Sequence, residues 1–263
     1  MPHGESWFSL LPFHERMVAF AHHYFGNPVN DEGHTWLFHG TPGVQHIYAA
    51  LLVLTILAVL AVVTDTSIRE SGKDLLPPEK LTLRNFVELF VGAAFRSMSD
   101  IMGAKAARYF LPLIGTCAFF IFFSNAIGLI PGFLPATDNF STTLALGVIV
   151  FVTTHVYGLK ENGWSHVKHF FGPIWWLAPL MVIIELISHV ARPISLGIRL
   201  MANMMADHMV LTIFCGLLPA VLFWVPIPLP MYVLGSLVVV VQTLVFCLLS
   251  TVYIAMAIEH QEH

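Results

Sequence analysis

Between Glu185 and Asp207 the polar side chains Glu185, Ser188, Arg192, Ser195, Arg199, Asn203 and Asp207 follow one another in steps of three or four residues. On a helix turning about 100° per residue, these positions share one stripe roughly 120° wide and about 33 Å long. Carboxylates exchange protons, hydroxyls and amides order water, and an arginine stays charged at any ordinary pH. The chemistry this permits is the movement of a small ion past a fixed positive charge. Mutual neutralisation along the helix is the plainer reading, and distance opposes it. Arg199 to Asp207 spans about 12 Å of rise and Glu185 to Arg192 about 10.5 Å, whereas helix-surface pairs stand three or four residues apart. Arg192 is free to snorkel toward an interface. Arg199 lies deeper, and the last apolar run, Met231–Ile258, offers Gln242, Thr243, Ser250 and Tyr253 but no carboxylate.

The elements that carry this stripe are set by composition. Of 263 residues 57% are hydrophobic and only 11% charged, and the mean hydropathy of +0.76 is that of a protein embedded in lipid. A span needs about 20 mostly apolar residues, and the sequence predicts five, over 47–64, 110–131, 140–159, 174–218 and 231–258. The fold class is therefore all-α and integral to the membrane. The fourth span exceeds a perpendicular crossing, so it is expected to tilt, with Pro179 and Pro193 as places to kink, and to form a long hairpin with the fifth across Pro219, Pro226, Pro228 and Pro230. Residues 83–108 mix Phe86, Phe90, Phe95, Met98 and Ile101 with Arg84, Glu88, Arg96, Asp100 and Lys105. That pattern predicts an amphipathic helix at the membrane surface, set off by Pro77–Pro78.

A central arginine in a span costs about 2.5–3.5 kcal/mol on insertion scales. Either water reaches Arg199 or an acid arrives from another chain. Basic residues cluster between the first and second spans (Arg69, Lys73, Lys80, Arg84, Arg96, Lys105, Arg108) and after the third (Lys160, Lys168). This places both loops and the C-terminus in the cytoplasm and the N-terminus outside. Residues 1–46 form a His-rich outer segment (His3, His14, His22, His23, His34, His39, His46) that reads as retained, since no basic region precedes a compact apolar core. Its histidines lack convergent ligand spacing, so no metal site is expected there. Cys117, Cys215 and Cys247 lie in apolar runs without paired spacing, which suggests neither disulfides nor zinc. The net charge of −4 comes without a basic patch, which excludes a nucleic-acid partner. His155 and His189 read as packing or interface residues. A haem protein using His155 and His208, a stand-alone transporter and a scaffold are the rivals; haem absorption, transport by the isolated chain and indifference to loss of Arg199 respectively distinguish them.

Three blocks carry a resemblance: ARPISLGIRLMANMMADHMVL at 191–211, VQTLVFCLLSTVYIAMAIEHQEH at 241–263 and FFSNAIGLIPG at 122–132. Together they resemble subunit a of the F-type ATP synthases, and the order of spans agrees over roughly 40–260. The resemblance implies a stator subunit, not an enzyme by itself and without a cofactor, that works against a c-subunit ring. The peripheral-stalk b subunits and the rest of the ATP synthase complex are its further implied partners, in a bacterial inner membrane. It implies two offset aqueous half-channels that carry protons, or sodium, to and from a ring carboxylate. Arg199 matches the arginine separating the two. Asn125, Asn203, Asp207, His208 and Gln242 match the outer half-channel, and Glu185, Ser188 and Ser195 the cytoplasmic one. Two departures stand out. Many relatives have glycine where this chain has Asp207, and an ionisable residue where it has Gly235, so a titratable group has changed helices; another position, often acidic in relatives, is Gly128 here.

Overall fold

A computed structural model describes residues 45–70, 82–130, 133–162, 178–221 and 228–259, with isolated positions between 11 and 19. The outer-segment histidines His3, His14, His22, His23, His34 and His39 lie outside the described residues, as do residues 260–263. The described chain forms α1 (Gln45–Glu70), α2 (Leu83–Gly128), a 3-10 turn (Ala136–Asp138), α3 (Phe140–Asn162), α4 (Ala178–Val221) and α5 (Pro228–Glu259). Five of these helices are long and apolar enough to cross a membrane, and no strand occurs among the described residues. The chain is thus an all-α integral membrane protein. Large apolar side chains such as Leu51, Leu54, Val62, Ile183, Ile187, Val233 and Leu237 are exposed on the protein surface, as lipid or partner contact requires of a helix apolar on every side. Some hydroxyls within the spans bond to their own helix: Thr55 donates to the Leu51 carbonyl at 2.8 Å and Thr153 to that of Ile149 at 2.8 Å.

The structure divides into two units, each drawing on several helices. The first takes residues up to Ala58 together with Phe120–Thr143 and Arg199–Gln242. Its fixed point is the end of α2. Ser124 Oγ accepts the Thr137 backbone N–H at 3.2 Å, and the Thr137 hydroxyl donates to Asn125 Oδ1 at 2.6 Å. All three residues are buried, so the 3-10 turn is tied to the helix by groups that would be costly to leave unpaired. Asn139 then caps α3, its Oδ1 accepting from Ser141 N–H at 2.9 Å.

The second unit takes Val59–Phe119, Leu144–Ile198 and Thr243–His263. Its core joins Met98, Ala107, Phe110, Ile114 and Ala118 of α2 to Cys247 and Ile254 of α5, with Phe90, Phe95 and Tyr157 packed against them. One contact reveals the course of α2. The rings of Phe90 and Phe119 have centroids 4.3 Å apart, although 29 residues of straight helix would separate them by about 43 Å. The helix folds back at Gly103, whose φ of 78° and ψ of 156° are non-helical. Space is not what demands glycine there, since an added Cβ would meet nothing within 4 Å; the positive φ is. The surface helix expected over 83–108 therefore ends at this break rather than near Tyr109, and Lys105 and Arg108 belong to the limb that follows. Of the apolar residues before the break, Met98 is buried in the core, and Phe90 and Phe95, half-buried, pack against it. Gly147 of α3 permits a second close approach: a Cβ there would stand 2.7 Å from the Pro193 carbonyl oxygen of α4, the small-residue contact by which membrane helices draw together.

Candidate functional site

Helix α4 runs through Pro193 and keeps Arg199, Asn203 and Asp207 in one helical stretch, Ala178–Val221. Arg199 is exposed on the chain, and among the described residues no hydrogen bond or ion pair holds it. An ion pair such as Arg84–Glu88, at 2.7 Å, lies far along the sequence in α2. One turn on, Asn203 Nδ2 donates to Gln242 Oε1 of α5 at 2.6 Å. Gln242 is only 4% exposed, so its carbonyl oxygen gains a partner that lipid could not supply. The bond pins α4 to α5 within the first unit.

Beside this bond lies a cavity of about 360 Å³, lined among others by Leu129, Asn203, Ala206, Asp207, Tyr232 and Gln242. Its size and its polar groups suit several waters. Asp207 is half-buried in its wall. A Cβ on Gly235 would come 3.0 Å from Asp207 Oδ2 and 2.7 Å from Leu129 Cδ2. The carboxylate thus occupies the space that a side chain at position 235 would need. The two positions singled out in the sequence, 207 and 235, therefore face each other across one corner of the cavity, where α4 supplies the carboxylate.

Asn125 sits elsewhere in the first unit, in the knot with Ser124 and Thr137. Its Oδ1 is engaged, while its Nδ2 is buried without a hydrogen-bond partner among the described residues. Leu129, one turn on from Asn125, reaches the cavity wall. The side chain of His208 lies outside the described residues, as does that of Glu185.

In the second unit Ser188 is half-buried and Ser195 exposed, both on α4. Arg192 places its guanidinium carbon 5.5 Å from the centroid of the Tyr253 ring. A cation over an aromatic face is stabilised by about 0.5–2 kcal/mol. A water-sized void of about 20 Å³ lies among Gly147, Thr154, His155, Arg192, Pro193 and Tyr253. Sequence reasoning missed Leu129, Tyr232 and the seating of Arg192 on Tyr253. Leu129 and Tyr232 carry no spacing signal, because their place in the cavity depends on how α2 and α5 meet α4. Tyr253 stood among the polar groups of the last span, but nothing in the sequence assigns it to Arg192 rather than Arg199.

These features define a class: an all-α integral membrane protein with a membrane-helix arginine that no described residue pairs, one turn from a cavity lined in part by amides and a carboxylate. The profile of the ATP synthase A chain family matches residues 47–255. ATP synthase subunit a of Sorangium cellulosum is 46% identical over 234 residues, 88% of this chain and 90% of that protein. The subunit of the same name from Bdellovibrio bacteriovorus is 43% identical over 224 residues, 83% and 95% of the two chains. That from Geobacter sulfurreducens is 48% identical over 177 residues, 67% and 75%. The chain belongs to the ATP synthase subunit a family.

Proposed function

We propose that this chain is the ion-conducting stator subunit of a rotary ATP synthase, non-catalytic by itself, and that Arg199 is its charge gate. The observation that carries the reading is the exposed guanidinium without a partner among the described residues, set one turn from the Asn203–Gln242 bond and the Asp207 cavity. An arginine in lipid requires water or a carboxylate, and this one faces out of its own chain. A ring of c subunits that carries a carboxylate past Arg199 answers that requirement. Each arriving acid is drawn into its ionised form by the fixed positive charge, and the same charge repels a cation moving straight through.

Asp207 and His208 exchange protons in the outer half-channel, with Asn203 and Gln242 orienting water and Asn125 offering its amide N–H nearby in sequence to the cavity wall. Glu185, Ser188 and Ser195 serve the cytoplasmic half-channel. The basic loops put the C-terminus in the cytoplasm, in a bacterial inner membrane, with the b subunits and the remaining ATP synthase subunits as partners. Moving one charge through 100 mV yields about 2.3 kcal/mol per ion, and rotation of the ring conveys that to ATP synthesis.

The test places cysteine at Asn203 or Ser195, both exposed, and seeks a disulfide to the ring in the assembled complex. Leu196 is unsuited, being 3% exposed. Arg199→Ala is assayed for coupled synthesis in the same membranes. Cross-links together with loss of synthesis are expected; neither appearing would sink the proposal.

A further inference from the structure

The hydrogen bonds at the end of α2 run in one direction, and they end on a donor that no described residue uses. The backbone N–H of Thr137 can only donate, so Ser124 Oγ, 3.2 Å away, accepts it. Ser124 then has its own hydrogen for Thr137 Oγ1 at 3.4 Å. The Thr137 hydroxyl, an acceptor in that contact, sends its hydrogen on to Asn125 at 2.6 Å. Asn125 must therefore present its carbonyl oxygen to Thr137, and the distance agrees, being that of an O–H···O bond rather than of the longer N–H···O kind. One backbone amide thus sets, through two hydroxyls, which way round the Asn125 side chain stands.

What remains is the other end of that side chain. Asn125 Nδ2 carries two hydrogens and is buried without a hydrogen-bond partner among the described residues, and the residue as a whole is 1% exposed. Fastening the 3-10 turn to α2 is the plainer account of this knot, and it explains the oxygen end alone. A buried donor left unpaired costs free energy that a mere fastener would avoid, so it calls for a use. Leu129, one turn further along α2, shares the face that carries Asn125 and forms part of the wall of the Asp207 cavity. Water is the acceptor that the cavity side can supply.

We propose that Thr137 is a positioning residue of the outer half-channel: by engaging Asn125 Oδ1 it keeps the amide with its N–H end toward the path, where it receives a water oxygen. This rests on the ion-path reading given above and deepens the part assigned there to Asn125. A water held by a donor-only group turns its oxygen to Asn125 and its hydrogens onward, so the waters beyond it are ordered in one sense. Without the Thr137 hydroxyl the amide is free to turn over and offer oxygen and nitrogen alike, and that order lapses. No covalent bond changes on either residue, since an amide does not titrate.

The test uses the whole ATP synthase in sealed membranes at matched amounts of assembled complex. It follows ATP-driven proton pumping in Thr137→Val, Thr137→Ser, Asn125→Leu and the combination of Thr137→Val with Asn125→Leu. Valine keeps the shape and the backbone N–H but not the hydroxyl. Pumping by Thr137→Val is expected to fall about fivefold, the effect of one ordinary hydrogen bond on a rate, and Thr137→Ser should recover most of it. The double variant should be no slower than Asn125→Leu alone, because nothing is left to position. Losses that multiply instead mean that Thr137 only packs the turn, and they overturn the proposal. So does a Thr137→Val complex that pumps normally while Asn125→Leu is slow; in that case the place of Asn125 in the path survives. Normal pumping by Asn125→Leu, or coupled synthesis that survives Arg199→Ala, overturns the parent reading and the proposal with it. Where Thr137→Val does not assemble, side-chain amide NMR of the wild-type complex decides: Asn125 hydrogens in rapid exchange with water support the water site, and hydrogens protected from exchange refute it.

Discussion

Arg192 and Arg199 stand two turns apart in the sequence of one helix, and the structure treats them in opposite ways. Arg192 is half-buried and rests on the face of Tyr253. Arg199 is exposed, and no described residue of its own chain bonds to it. A seated cation is satisfied at home and contributes to packing. An open one keeps its charge for something that comes from outside. The difference teaches that the presence of arginine in a membrane helix says little about function until its partners are known, because the same insertion cost can be met by a neighbouring ring or deferred to another protein.

The strongest way to break this comparison is to remove each charge. Arg199→Ala is expected to reduce coupled ATP synthesis to background, whereas Arg192→Ala leaves most of it; synthesis is measured in energised membranes with matched amounts of assembled complex. Equal losses would erase the distinction. Arg199→Lys sharpens it further. Lysine keeps the charge but yields its proton far more readily when desolvated, so this variant should retain partial synthesis and leak protons, seen as faster dissipation of an imposed gradient.

Next in size is the Asp207–Gly235 corner. Because a Cβ on Gly235 meets both Leu129 and the Asp207 carboxylate, Gly235→His must push Asp207 aside. About tenfold slower proton pumping is expected, equivalent to about 1.4 kcal/mol on the barrier. Adding Asp207→Gly removes the collision with the carboxylate, leaving only that with the flexible end of Leu129, and keeps one ionisable group of the pair, so the double variant should pump faster than Gly235→His alone. If the second substitution deepens the defect, the two positions do not share one space.

Much of this was legible in advance. Hydropathy alone marks five spans, since lipid demands long apolar helices, and the stripe from Glu185 to Asp207 follows from helical periodicity. The hairpin partner of Asn203 was within reach too, because Gln242 is among the few amides in the last span. What stayed hidden depends on contacts between distant segments. Gly103 carries no local sign that α2 will fold back, as Lys105 and Arg108 extend the amphipathic pattern past it. Nor could spacing reveal that the rings of His155 and His189 meet, with centroids 4.9 Å apart, or that Tyr253 serves Arg192: periodicity orients a side chain on its own helix and is silent about which neighbour faces it.

The smallest expected effect concerns the Asn203–Gln242 bond, and it bears on why the open arginine stays open. The 2.6 Å contact joins two amides, neither of which titrates. Interhelical hydrogen bonds in membrane proteins average about 0.6 kcal/mol and reach about 1.7 kcal/mol. A double-mutant cycle of Asn203→Leu and Gln242→Leu, read as resistance of the complex to denaturing detergent, should give a coupling in that range. A larger role would conflict with the geometry, since α4 and α5 also share apolar contacts around the cavity that neither substitution removes. The bond instead occupies both amides with each other. An amide left unpaired one turn from Arg199 would be a ready acceptor for the guanidinium, and would close from within the site that a passing carboxylate has to reach. If the double variant leaves Arg199 function intact while either single variant impairs it, the bond's work is to keep those amides away from the arginine.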